Sequence, residues 1–247
     1  MFDRLEAFIR HMGEAQCEGA LAERLADICR EMGFAYFALT HHVDILRAPQ
    51  PVIRLHNYPP DWAAWFDREQ LGPSDPVHRA SHVTSAGFAW SSLPAMIHLT
   101  PRDRLVLKLA GSQGLGDGFT VPANVPGESH GSCSFATAAG NAFPEHEMFF
   151  AQLIGTYAFE RARGLWRMRG RGASDLPKLT DRQRDCLYWA ARGKTDWEIA
   201  RILGLRRDTV IQHLKHARER YGVSKRTQLA VHALYDGIIC FTDILSR

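Results

Sequence analysis

The spacing of apolar and polar residues divides the chain into two regions. Up to about residue 165, segments with helical periodicity alternate with short aromatic and β-branched runs. The pattern predicts helices over 2–12, 18–32, 60–70, 101–110 and 144–164, and strands over 35–39, 51–58, 118–123 and 132–138. Helices on both sides of a modest antiparallel sheet would form a three-layer α/β/α sandwich with room for a ligand between sheet and helices.

The last region has the pattern of four short helices. Thr180 and Thr195 are suitable N-caps for the first two, which Gly193 and Gly204 would end. The third is predicted over 207–221 and the fourth over 225–235. A tight turn at Gly204-Leu205 joins the second helix to the third, which is the spacing of a helix-turn-helix.

These patterns predict an α+β protein of two domains. A ligand-binding α/β/α sandwich would occupy residues 1–165, and an all-α four-helix helix-turn-helix domain residues 179–247. Residues 166–178 are the predicted linker, because glycines, arginines and Pro177 occur there with little apolar periodicity.

The charge is distributed unevenly between the two regions. Residues 161–247 contain 19 Lys and Arg against 9 Asp and Glu, a balance of +10, and residues 1–160 contain 11 against 18, a balance of −7. A basic third of the chain favours a polyanion as its partner.

The chain shows no sign of a membrane or secretory destination. It has no run of about 18 uncharged apolar residues, and its N-terminus mixes charges with apolar residues. Its five cysteines are scattered without paired spacing. A cytoplasmic protein with reduced thiols is therefore expected, without a membrane partner.

The tripeptide Gly193-Lys194-Thr195 is similar to the end of a phosphate-binding loop. Such a loop needs a second glycine five residues before Gly193, where this chain has Tyr188 in an apolar helical run. A corner between two helices is the better interpretation.

The third predicted helix has the division of faces that DNA recognition requires. Val210, Leu214 and Ala217 share one face, and the opposite face is polar apart from Ile211. An ordinary amphipathic surface helix has the same periodicity, so the pattern alone leaves both interpretations open. The candidate DNA contacts on this helix and at neighbouring helix ends are Lys194, Arg206, Arg207, Thr209, Ile211, Gln212, Lys215, Lys225 and Arg226.

Residues 179–239 resemble the DNA-binding domain of LuxR-type transcription regulators. The resemblance rests on the Leu-Thr start, GKT, Glu198-Ile199-Ala200, Thr209-Val210, His213-Leu214, Arg226-Thr227-Gln228 and Gly237-Ile238-Ile239. It implies a homodimer formed through the fourth helix on partly palindromic double-stranded DNA, with half-sites about one helical turn apart. Gln183 stands where the family commonly has Glu, and Ile211 where some members are basic.

The segment NYPPDWAAWFDREQLGPSDP (57–76) carries the candidate ligand site. Tyr58, Trp62 and Phe66 recur every four residues, which by itself is typical of a helix face packed in a core. Asp75 follows in a turn with no Lys or Arg between Glu69 and His78 to pair with it. A buried carboxylate there needs donors, and a ligand amide N–H would be one. The alternative is that Asp75 caps a helix or lies in a solvated turn.

This segment also resembles the autoinducer-binding domain of N-acyl-homoserine-lactone receptors. The shared residues are Tyr58, Trp62, Asp75, Pro76, Trp90, Gly118 and Ser134. The resemblance implies that Trp62 bonds the lactone carbonyl, Asp75 the amide N–H and Tyr58 the acyl carbonyl. Trp90 would close the pocket, and Thr120 or Ser134 would offer hydroxyls. Phe66 stands where most such receptors have tyrosine, which makes the pocket more apolar there.

The N-terminal region also leaves other functions to consider. A different small amphiphilic signal, or no ligand at all, remains the alternative within the same family. An enzyme is disfavoured, because no catalytic motif accompanies Cys133 and His130, which are too weak a signal for a nucleophile and its base. His41, His42 and Asp44 lack a further metal ligand, so neither a metal nor a cofactor is expected. A phosphorylated receiver domain is disfavoured because the first predicted strand ends in Thr40-His41-His42 rather than in acidic residues.

Overall fold

The computed structural model describes residues 2–43, 52–125, 129–169 and 177–245. They form two compact units, one made of the described residues up to 169 and the other of those from 177 onward. Asp44 of the metal alternative, Pro51 of the second predicted strand and residues 170–176 of the predicted linker lie outside the described residues.

The first unit contains a five-stranded antiparallel sheet. Its strands lie in the order β2-β1-β5-β4-β3, and each neighbouring pair is antiparallel. Their bounds are β1 Tyr36–His41, β2 Arg54–His56, β3 Phe88–Ala89, β4 Leu115–Ala123 and β5 Gly131–Ala138.

Helices cover both faces of this sheet, which confirms the predicted α/β/α sandwich. They are α1 Phe2–Gly13, α2 Glu18–Glu31, α3 Pro60–Arg68, α4 Pro76–Ser81, α5 Leu93–Met96, α6 Pro101–Ser112 and α7 Met148–Arg169. Successive side chains of a strand point to opposite faces. Phe37 and Leu39 of β1 therefore enter the main core under α1, α2 and α7, while Ala38 and Thr40 face a cavity on the other side.

The first unit differs from the sequence pattern mainly in its shortest elements and in α7. The two-residue strand β3 and the short helices α4 and α5 contain too few residues to show a period. Helix α7 continues to Arg169, beyond the predicted end at 164 and into the predicted linker. Gly164 does not end it, because the roughly 1 kcal/mol penalty of a helical glycine is offset by burial of Leu165 in the core.

The second unit contains the four predicted helices and a short fifth one. Their bounds are α8 Asp181–Ala191, α9 Asp196–Leu203, α10 Arg207–Tyr221, α11 Arg226–Tyr235 and α12 Phe241–Leu245. Gly204 and Gly222 end α9 and α10 in the left-handed conformation, at φ 63° each. Val210, Leu214 and Ala217 are buried in one core with residues of α8, α9 and α11, as the periodicity predicts.

Within the described ranges, no helix combines the length and the apolar character needed to cross a membrane.

Candidate functional site

A cavity of about 800 Å³, including its open mouth, lies in the first unit between the sheet and α3, α4 and α6. Six of the seven predicted ligand-binding residues line it, although they are spread over about 75 positions of the chain. They are Tyr58, Trp62, Phe66, Asp75, Trp90 and Ser134. The seventh, Thr120, does not line the cavity.

Asp75 occupies the N-cap of α4 and also faces the cavity. Its Oδ1 accepts hydrogen bonds from the backbone N–H groups of Val77 and His78, at 2.8 and 3.0 Å. The capping role weighed from the sequence is therefore present. Oδ2 receives no hydrogen bond from the described residues, although the side chain is only 7% exposed. Asp75 can thus cap its helix with one oxygen and accept from a ligand with the other.

Tyr58 and Trp62 also line the cavity, and each carries a polar group. Trp62 is held by ring contacts to Trp65 and Phe66, with centroids 5.2 and 6.0 Å apart. Neither the Tyr58 hydroxyl nor the Trp62 indole N–H makes a hydrogen bond within the described residues. Burial, and secondly the charge of Asp75, raise the pKa of Tyr58, so its hydroxyl keeps its proton and can donate.

Trp90 is positioned by the sheet beneath it. A side chain on Gly118 would collide with the Trp90 ring, since a Cβ there would lie 2.6 Å from Cε2. The indole N–H of Trp90 donates to Thr120 Oγ1 at 2.8 Å, and Thr120 Oγ1 lies 2.8 Å from Ser134 Oγ. Thr120 therefore supports Trp90 and Ser134 from behind the cavity wall, which corrects the expectation that it offers its hydroxyl to the ligand.

Four ionisable residues of the cavity wall were not among the predicted ligand contacts: Arg54, His56, His78 and His41. The alternation Arg54-Leu55-His56 could have indicated the first two, because residues two apart on a strand share a face. Thr40 also lines the cavity.

His78 belongs to a group of four imidazoles beside the cavity. His78 stacks on His42 with centroids 3.8 Å apart, His42 Nδ1 lies 2.9 Å from His82 Nε2, and His82 packs on His130 at 4.3 Å. Burial lowers the pKa of His42 well below its ordinary value, and the neighbouring imidazoles lower it further. In the part of the chain that the structure describes, no three His, Cys, Asp or Glu side chains are arranged to hold a metal ion.

The nucleophile–base pair weighed from the sequence is not assembled. Cys133 is fully buried in the core under α7, on the opposite face of the sheet from the cavity. Burial strongly raises the pKa of its thiol, which removes the thiolate that nucleophilic attack requires. His130 Nδ1 instead lies 2.7 Å from Asn124 Oδ1.

The second unit presents most of the predicted DNA contacts on its surface. Arg206, Arg207, Ile211, Gln212, Lys215 and Lys225 are exposed, and Thr209 is half-buried at the start of α10. Lys215 Nζ lies 3.8 Å from Glu219 Oε1 in an exposed pair one helical turn apart. Such a pair contributes little to stability, so Lys215 can exchange this partner for a base or a phosphate.

The guanidinium of Arg226 makes contacts within the protein. Its Nη1 donates to Asp196 Oδ1 at 2.5 Å and its Nη2 to the carbonyl of Lys194. Arg226 therefore ties the start of α11 to the start of α9, and its guanidinium is already occupied. Lys194 is half-buried and lies 3.5 Å from Glu198.

The GKT segment is a helix cap. Thr195 Oγ1 accepts the backbone N–H of Glu198, and Glu198 Oε2 accepts the backbone N–H of Thr195 at 2.8 Å. Thr180 and Gln183 form the same reciprocal pair at the start of α8. Gln183 thus supplies the acceptor that a glutamate would supply at this position.

Two family assignments cover most of the chain. Residues 18–162 match the autoinducer binding domain, and residues 177–233 match the bacterial regulatory proteins of the luxR family.

Two relatives match over most of the chain. The transcriptional activator protein AhyR of Aeromonas hydrophila is 26% identical over 240 residues, covering 96% of this chain and 92% of AhyR. The quorum sensing-dependent regulator RpaR of Rhodopseudomonas palustris is 30% identical over 221 residues, covering 89% and 88%. These relatives are transcriptional regulators, as the sequence predicts, and not enzymes.

Among solved structures, SdiA of Escherichia coli in complex with octanoyl-rac-glycerol has the same fold. The TM-score is 0.67 at 21% identity, and the match covers 97% of this chain and 96% of that one.

Proposed function

Because the chain belongs to the luxR family of bacterial regulatory proteins and carries an autoinducer binding domain, we propose that its signal is an N-acyl-homoserine lactone and that it binds a partly palindromic DNA site as a dimer. With DNA as its partner, the protein would act in the cytoplasm. No cofactor besides the signal is proposed.

One observation carries the choice of ligand. Three polar groups of the cavity, the Tyr58 hydroxyl, the Trp62 indole N–H and Asp75 Oδ2, have no hydrogen-bond partner within the described residues. Two are donors and one is an acceptor. An acyl-homoserine lactone offers the complementary set, with an acyl carbonyl, a lactone carbonyl and one amide N–H. Burying these groups against a ligand without such partners would cost about 1–3 kcal/mol for each one left unsatisfied.

The remaining cavity suits an acyl chain. Phe66, Val77, Val106 and Leu115 line it with apolar surface. An apolar cavity with a few polar groups at one part is the usual form of a small-molecule site.

Exposed apolar residues support the proposed dimer. Val231 and Tyr235 lie one turn apart on α11 and are 63% and 52% exposed. On α7, Phe149, Leu153 and Tyr157 form a second stripe at four-residue spacing, and Phe149 is 80% exposed. Contiguous exposed apolar surface usually marks a contact site. Pairing through α11 would present two copies of α10 to successive major grooves, about 34–36 Å apart.

The ligand proposal is tested with Trp62→Phe, and Trp65→Phe is the matched control. The first change removes the indole N–H from the cavity together with the rest of the five-membered ring. Trp65→Phe loses the same atoms, but Trp65 stacks on Trp62 without lining the cavity. We expect a panel of lactones to raise the melting temperature of the wild type and of Trp65→Phe by mass action. Trp62→Phe should weaken the binding about tenfold, as expected for one lost hydrogen bond to the ligand.

A folded wild-type protein whose melting temperature responds to no lactone contradicts the ligand proposal. The same panel should then include acylglycerols, because SdiA was solved with octanoyl-rac-glycerol. A response to these alone would support the alternative of a different amphiphilic signal and would leave the DNA-binding unit as described.

A further inference from the structure

Helix α10 carries an apolar side chain on its exposed face. Ile211 is 37% exposed and does not belong to the core of the second unit, which Val210 and Leu214 enter from the other side of the helix. The other exposed side chains of α10, a helix that lies wholly within the described residues, are charged or polar. Ile211 therefore presents a surface without hydrogen-bonding groups in the middle of a face that is rich in them.

Ile211 lies where a helix-turn-helix meets DNA. The turn at Gly204 joins α9 to α10, which makes α10 the second helix of the motif. The N-terminal residues of such a helix contact base edges in the major groove, and Ile211 is the fifth residue of α10. On the same face, Arg207 lies one turn before it and Lys215 one turn after it. Two cations that flank the isoleucine along the helix suit a groove bordered by phosphates.

The chemistry of isoleucine restricts what Ile211 can recognise in the groove. Its side chain has no donor and no acceptor, so it makes no hydrogen bond to any base. The C5-methyl group of thymine is the apolar feature by which base pairs differ in the major groove. An isoleucine placed over a donor or acceptor of another base would remove water from that group without replacing its hydrogen bond. Contact with the methyl group instead buries apolar surface on both partners.

We infer that Ile211 is a specificity-determining residue that selects thymine at one position of each DNA half-site, through contact with the C5-methyl group. This inference rests on the proposed binding of a partly palindromic site by a dimer, and it states what that site contains. Because two copies of α10 would meet the DNA, the thymine should occur at symmetry-related positions of the two half-sites.

Deoxyuridine provides the test, because it lacks the methyl group of thymine and keeps all of its hydrogen-bonding groups. The full-length protein first selects its site from random duplex DNA, with and without the lactone panel. Each thymine of the selected half-site is then replaced by deoxyuridine, symmetrically in both half-sites. At one position the wild type should lose about fourfold in affinity per half-site, or about fifteenfold in total, as expected for one buried methyl group on each side.

Two variants of Ile211 assign this loss to its side chain. Ile211→Ala should bind the thymine and deoxyuridine sites equally well at that position, whereas Ile211→Val, which keeps a branched apolar side chain, should retain a preference for thymine. Gln212→Ala is the matched control on the same exposed face. It should weaken binding to both DNAs and leave the ratio between them unchanged. Both positions are exposed, so these changes open no cavity in the core.

A selected site in which no replacement by deoxyuridine lowers the affinity would overturn the role of Ile211. An equal loss on deoxyuridine in the wild type and in Ile211→Ala would overturn it as well. Either result leaves the proposed binding of a partly palindromic site intact. If the folded protein enriches no sequence, with or without lactone, the proposed site and the role of Ile211 are both overturned.

Discussion

Asp75 illustrates how one side chain can serve the fold and the site together. Its two oxygens have separate environments: Oδ1 satisfies two backbone donors at the start of α4, and Oδ2 receives no hydrogen bond from the described residues. The capping hydrogen bonds hold the carboxylate in place before a ligand arrives. Ligand binding then needs no further ordering of this residue, which lowers its entropic cost.

Asp75→Asn should separate the two roles. Asparagine caps helices about as well as aspartate, so the melting temperature of the unliganded variant should stay close to that of the wild type. With the amide oxygen in the cap, the amide N–H₂ would meet the ligand N–H, and lactone affinity should fall about tenfold or more. Asp75→Ala should lose about 1 kcal/mol of stability as well. Calorimetric titration and thermal unfolding measure both effects, and normal lactone binding by Asp75→Asn would show that the residue only caps α4.

At the scale of elements, the helix-turn-helix unit depends on links between helix starts. Two reciprocal caps begin α8 and α9, and Arg226 connects α11 to α9 through Asp196 and the carbonyl of Lys194. This link sets the position of α11 against the core that also supports α10. The position of α11 is thus controlled by contacts within the unit.

Substitution of Arg226 should therefore act on stability, and substitution of its neighbour Lys225 on DNA binding. We expect Arg226→Ala to destabilise the second unit by about 1 kcal/mol, since the pair with Asp196 is partly exposed. Lys225→Ala should leave stability unchanged and weaken binding to all DNA sequences alike. The slope of log affinity against log salt concentration should become shallower by about one. Denaturant unfolding and DNA binding at several salt concentrations distinguish the two. A stable Arg226→Ala variant with reduced salt dependence would instead mean that Arg226 contacts a phosphate.

At the scale of the whole molecule, the buried imidazole of His42 makes the stability of the fold depend on pH. His42 follows β1 directly, and its ring is faced by His41, His78, His82 and His130. Its Nε2 lies 2.8 Å from Ser132 Oγ. The folded state keeps this ring neutral because a charge there would be buried among other imidazoles. Unfolded His42 takes up a proton near its ordinary pKa of about 6.5.

Stability should consequently fall as the pH drops below about 6.5. In that range the unfolded state binds more protons than the folded state, so acid favours unfolding, and the loss continues until the pH reaches the lowered folded-state pKa of His42. His82, whose pKa is also lowered, acts in the same direction. Unfolding free energies measured between pH 7.5 and 5 should show this slope, and His42→Gln should flatten it. His146→Gln, at an exposed position outside the group, is the control. If the unfolding free energy depends on pH equally in the wild type and in His42→Gln, His42 is not the source of the dependence.

The sequence alone determined the features that depend on local spacing. The caps at Thr180 and Thr195, the buried face of α10 and the strand–helix alternation follow from neighbours three or four residues apart, or two apart in strands. The aromatic segment and Asp75 could be selected because a carboxylate without a nearby cation needs donors.

Only the tertiary structure decided which polar atoms remain available. The Thr120 hydroxyl accepts a hydrogen bond from Trp90, and Arg226 donates one to Asp196, whereas His56 Nδ1 has no partner among the described residues. These outcomes depend on residues 30 positions away in the first two cases and on the register of β1 with β2 in the third. Side chains of the same type compete for partners across the fold, and no local pattern in the chain records which of them pair.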